Sequence, residues 1–121
     1  MPQPYAWTQV TAEAAFQPRD GSGALFFADT MWLIGGWNPR HPDFSKICVN
    51  DVWHSADGQD WTRTKQNTFG LPSFDDASDW EGRHTAGYAV HNNRMWIIGG
   101  DANQGHYQND VWSTTDGRSW T

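Results

Sequence analysis

Leucine, lysine and glutamate are scarce in this 121-residue chain, with three Leu, two Lys and two Glu. These are strong helix formers, and 12 Gly and 12 Asp stand in their place. That trade starves helices and supplies turns, so the composition predicts an all-β chain. Leu, Ile, Val and Phe together number only 18, a share that by itself points to disorder. Nine Trp reverse that inference, because each indole can bury more apolar surface than a leucine. The length allows one domain of ordinary size.

Other absences narrow the function classes. The formal net charge of −6 argues against a phosphate backbone or an anionic membrane surface, so neither nucleic acid nor membrane is expected as a partner. The longest apolar runs, near Met31–Ile34 and Met95–Ile98, fall far short of a bilayer span. The start, Met-Pro-Gln-Pro-Tyr, has neither a basic n-region nor an apolar h-region, so no signal peptide is expected. Cys48 stands alone, which excludes an intrachain disulfide framework and a cysteine-cluster zinc site. It reads as a small buried hydrophobe. No cofactor and no metal are expected.

What the chain does contain is a repeat. Arg19-Asp-Gly-Ser-Gly-Ala leads into Met31-Trp-Leu-Ile-Gly-Gly36, and Arg83-His-Thr-Ala-Gly-Tyr leads into Met95-Trp-Ile-Ile-Gly-Gly100. A second block, Asn50–Thr62, returns as Asn109–Thr121 with eight of 13 positions identical. Self-similarity at this spacing signals a repeat architecture.

Each copy reads as four short strands. Strand a (22–28 and 85–91) carries small residues suited to close backbone approach. Strand b is the Met-Trp-apolar run closed by a Gly pair, and strand c carries Val52-Trp53 or Val111-Trp112. A tight turn at Asp57-Gly58 or Asp116-Gly117 follows. Strand d begins at Trp61 or Trp120, and residues 7–10 match it as an extra outer strand. Trp32, Trp53, Trp61, Trp96, Trp112 and Trp120 occupy repeat positions and are expected in the core.

These residues resemble the kelch repeat: an Arg and small residues before the first strand, an apolar run closed by Gly-Gly, then two aromatics flanking a turn. Here they are Arg19, Gly35-Gly36, Trp53 and Trp61, then Arg83, Gly99-Gly100, Trp112 and Trp120. The resemblance covers residues 7–121 and implies four-stranded β-propeller blades, with blade 1 over about 19–64, blade 2 over about 83–121, and strand a lining the axis. The Ser/Thr-x-Asp-Gly-x-x-Trp turn is similar to the sialidase Asp-box but one residue shorter, and is read as a turn.

A propeller needs roughly four to eight blades, and two blades alone would leave apolar faces and strand edges in water. The ring is therefore expected to close by homo-oligomerisation, a trimer giving six blades or a tetramer eight, unless the chain is a piece of a longer propeller. In the ring reading, the N-terminal strand of one copy completes the last blade of its neighbour, with Trp7 and Trp120 competing for one position.

The copies differ in length only in their b–c and d–a loops, which emerge on one face of an up-and-down blade; such differences mark a binding face. The b–c loops offer Trp37, Asn38, Arg40, His41, Asp43 and Phe44, then Asp101, Asn103, Gln104, His106 and Tyr107. The d–a loop adds Phe74, Asp75, Asp76, Asp79, Trp80 and Glu81, and Arg19, Asp20, Arg83 and His84 stand at the channel mouth. Aromatic faces beside Asn, Asp, Arg and His suit sugar hydroxyls. Arg19 and Arg83 also fit a structural role, bonding loop carbonyls. The three aspartates at 75, 76 and 79 read as a solvated loop, not a calcium site.

The leading expectation is a non-catalytic, self-assembling binding module with a glycan or protein ligand. The runner-up is a sugar-processing enzyme resembling the sialic-acid mutarotases among kelch propellers, with Glu81, Arg83 and His84 as its acid/base and anion clamp.

Overall fold

The computed structural model describes residues 1–42, 47–103 and 105–121. Among them lie seven strands and no helix, in two antiparallel sheets. β1 (Gly23–Phe27), β2 (Thr30–Gly36), β3 (Val49–Ser55) and β4 (Thr62–Lys65) form the first sheet in that order. β5 (Gly87–His91), β6 (Arg94–Asp101) and β7 (Tyr107–Thr114) form the second. The chain is all-β, as its composition predicts.

The local chemistry explains the strand ends. Two-residue turns with both residues left-handed join β1 to β2 and β5 to β6: Ala28 and Asp29 (φ 52° and 55°), then Asn92 and Asn93 (φ 51° and 56°). This geometry matches the right-handed strand twist. β2 and β6 each end in an irregularity, at Ile34/Gly36 and Ile98/Gly100. Gly36 and Gly100 sit there at φ 119° and 115°, backbone that only glycine adopts without strain.

Residues paired across strands share a sheet face. Leu25, Trp32, Ile34 and Val52 share one face of the first sheet and pack with Tyr88, Met95 and Ile97 of the second. Ile34, Val52, Met95 and Ile97 are fully buried, and burying each is worth about 1.5–3 kcal/mol. β1 lies beside β5, and Gly23 leaves room for the Tyr88 ring, which a Cβ there would overlap. Trp80 and Trp120 close the core edge-to-face, ring centroids 5.5 Å apart.

The outer faces stay open. Ile98 and Val111 are 47% and 52% exposed on the second sheet, with Trp96 half-buried beside them. On the first sheet Ala24 and Phe26 are exposed. Trp96 is half-buried because it stands on the open face of the second sheet. Trp61 and Trp112 are also half-buried, Trp112 packed against the edge of the core, whereas Trp32, Trp53 and Trp120 are buried.

Two further expectations are corrected. The Asp-Gly turn is not tight: residues 56–61 separate β3 from β4. Side chains there replace ladder bonds. The Ser55 hydroxyl oxygen accepts from Gly58 N–H (2.8 Å), and Asp57 Oδ1 accepts from Gln59 and Asp60 N–H (2.9 Å each). Thr114 and Asp116 repeat the pattern with Gly117, Arg118 and Ser119. Second, no fourth strand starts at Trp120; Thr121 only exchanges backbone bonds of 2.8 and 3.0 Å with Ser113. Within the single chain residues 7–10 form no strand and Trp7 is 93% exposed, while the Trp120 ring is buried against Trp80.

Candidate functional site at the rim between the sheets

The b–c and d–a loops converge, as the up-and-down connectivity requires. In the long d–a loop, Glu81 Oε2 lies 3.1 Å from His106 Nε2 and accepts a hydrogen bond from Gln108 Nε2. Asp20 and Trp37 exchange backbone hydrogen bonds of 3.0 and 3.1 Å, and His84 and Asp101 do the same. The Trp37 ring lies 5.1 Å from the His84 imidazole. His84 Nδ1 stands 3.5 Å from Asp20 Oδ1, and its Nε2 stands 3.8 Å from Asp101 Oδ2. Asp20, Trp37, His84 and Asp101 thus form one cluster fed by both sheets.

Asn50 fixes the long d–a loop. Fully buried, it donates from Nδ2 to Thr68 Oγ1 (2.8 Å) and the Trp80 carbonyl (2.9 Å). Its Oδ1 accepts from Thr68 N–H (2.8 Å). Lys65 adds an ion pair to Asp79 at 3.0 Å and lies over the Trp80 ring. Burial pulls the Lys65 ammonium below its ordinary range, against the opposing pull of Asp79.

Arg19 and Arg83 are structural. Arg83, fully buried, donates from Nε to the Glu81 carbonyl and from Nη1 to the Gly99 carbonyl, both at 3.0 Å. It grips Asp110 with both Nη atoms at 2.5 and 3.1 Å. Arg19 makes the equivalent bonds to Gln17, Gly35 and Asp51. Each aspartate also accepts from a tryptophan Nε1, Trp53 at 2.9 Å and Trp112 at 2.8 Å. Burial pushes the Asp110 carboxyl up, but Arg83 and Trp112 outweigh it and hold the group below its usual value.

The other expected site residues divide. Asn38 donates to the Pro18 carbonyl (2.8 Å) and accepts from Arg40 N–H (3.2 Å). Asn38 and Arg40 line a cleft of about 260 Å³ with Asp20 and Trp37. Asn103 and Tyr107 are exposed beside the cluster. Asp101 is turned back on its own loop, and hydrogen bonds from Gly105 and Asn103 N–H lower its carboxyl. Trp80 never reaches the rim: its ring is fully buried in the core against Trp120, and Asn50 holds its carbonyl. Asp43, Phe44 and Gln104 lie outside the described residues. Among the described residues no group of three His, Cys, Asp or Glu is placed to hold a metal ion.

Four residues that shape the site escaped sequence reasoning: Asn50, Asp51, Asp110 and Gln108. A signal for three of them was present, since the pair Asn50-Asp51 returns unchanged as Asn109-Asp110. In the first copy both residues are buried and hydrogen-bonded, and in the second Asp110 makes the equivalent bond to Arg83. Comparison with protein-family models and with curated proteins gives no match for this chain.

Proposed function

We propose that the chain is a kelch-like β-propeller binding module, whose ring is completed by further copies and whose rim cluster recognises a glycan. The observation that carries this reading is the two docked sheets, each closed by the same Arg–Asp–Gly clamp and each leaving its far face apolar and open. A single pair of sheets exposing such faces is a surface built to be covered, and copies related by a rotation supply equal cover all round.

The rim gives the ligand reading its support. Trp37, backed by the His84 ring, offers an aromatic surface to an apolar sugar face, while Asn38, Asp20 and Arg40 offer donors and acceptors at the same cleft. The sugar-processing alternative loses its anion clamp, because every Arg83 bond is spent inside the protein. Repetition of the rim around a ring also suits multivalent binding.

The test is light scattering on a sizing column over a hundredfold concentration range, followed by a glycan array on the assembled species. A stable trimer or tetramer that retains a glycan class is the expected result. A monomer at every concentration removes the ring, and an assembly that retains no glycan removes the ligand.

A further inference from the structure

The contact between the two sheets is made once within the chain, and the residues to make it again are present on the two open faces. In the contact that exists, Asn50 Nδ2 donates to the Trp80 carbonyl (2.9 Å), and Gly36 N–H donates to the Arg83 carbonyl (2.9 Å). Thr85 N–H donates to the Gly21 carbonyl (2.8 Å). The Asp116-Gly117 turn lies on the Trp32 ring so closely that a Cβ on Gly117 would overlap it. Trp32, Ile34 and Val52 form one wall; Tyr88, Met95 and Ile97 form the other.

Translating each group by the repeat gives the open faces. Asn109, Trp96, Ile98 and Val111 replace Asn50, Trp32, Ile34 and Val52, and none of the four is buried. Phe16 replaces Trp80, Gly58 replaces Gly117, and Ala24, Met31 and Leu33 replace Tyr88, Met95 and Ile97. None of these five is buried either. Phe16 and Gly58, with Trp61, line an open hollow of about 720 Å³, and Ala24, Met31 and Leu33 line a second beside it.

We infer that these two faces are the halves of one head-to-tail interface, in which the Trp96 ring of one copy is capped by the Asp57-Gly58 turn of the next. In that contact Asn109 donates to the Phe16 carbonyl of the following copy, and Val111 and Ile98 pack on its Ala24 and Leu33. The contact is heterologous, so each copy has one donor face and one acceptor face, and chains grow until the rotation closes. This rests on the ring reading proposed above, and fixes which surfaces meet and in what register.

The test uses one charged variant per face, at positions exposed in the single chain: Val111→Arg and Ala24→Arg. Near-ultraviolet circular dichroism checks that each keeps the native fold. Where wild-type protein assembles, each variant alone is expected to be monomeric. Mixed, they are expected to give a 1:1 dimer, because the intact first-sheet face of Val111→Arg meets the intact second-sheet face of Ala24→Arg. Asn109→Ala, which removes one hydrogen bond, is expected to weaken assembly roughly threefold to tenfold. Variants that still assemble, or a mixture that stays monomeric, overturn the inference while leaving wild-type assembly in place. Wild-type protein that never assembles overturns the ring reading itself.

Discussion

At the scale of single residues, the arginines decide most. Arg19 and Asp51 are nearly inaccessible, with side chains 2% and 7% exposed and Nη1 and Oδ1 2.5 Å apart. A buried pair contributes modestly as a pair, but removing one partner strands the other charge at a cost of about 3–5 kcal/mol. Arg19→Met is therefore expected to lower unfolding stability by about that much in urea. Adding Asp51→Leu should recover a large part of it. A loss under about 1 kcal/mol would show that the clamp does not hold the bulge. Both arginines fit two roles by sequence, and the structure assigns the carbonyl-bonding one, because two carbonyls and a carboxylate surround each guanidinium.

At the scale of elements, the loops after β3 and β7 are built by side chains. The backbone N–H groups of Asp60 and Gln59 lower the Asp57 carboxyl, and those of Ser119 and Arg118 lower that of Asp116. A carboxyl whose folded pKa lies below its unfolded value of about 3.9 stabilises the fold above that value. The contribution is lost as pH falls through the folded value. The thermal midpoint of wild-type protein is thus expected to fall more steeply below about pH 4 than that of the Asp57→Asn, Asp116→Asn double variant. Parallel curves would show that these bonds are not worth more to the ionised form. Sequence reading placed turns at both sites but made them too tight, since Asp-Gly also serves a wider loop when hydroxyl and carboxylate oxygens satisfy the backbone.

At the scale of the whole molecule, one thiol reports whether the sheets dock as a unit. Cys48 is fully buried, with its Sγ 3.4 Å from the Asp101 carbonyl and its N–H 3.4 Å from the Ala102 carbonyl, both at the far end of the second sheet. Burial, with Asp101 nearby, pushes the thiol up to about 12. Folded protein is therefore expected to resist thiol reagents at pH 8. Labelling should appear in urea at the same midpoint as the loss of tryptophan fluorescence from both sheets. Labelling at lower urea would mean that the sheets part before either unfolds.

The sequence by itself determined the class of structure. Scarce helix formers, Gly-Gly closures and Met-Trp runs at a fixed spacing dictate short antiparallel strands in two copies, since propensity and period-two patterning act locally. It also placed the loops that differ, because comparing two copies within one chain needs no coordinates. Only the tertiary structure decided which polar residues are spent inside. Trp80, Arg19 and Arg83 look like rim chemistry as residue types, and burial beside Asn50, Asp51 and Asp110 takes them away. Those partners lie 27 to 32 residues distant in the chain, where no local pattern reaches. The same folding left Trp37 and His84 side by side and two apolar faces uncovered, because which face of a sheet is buried depends on the sheet it meets.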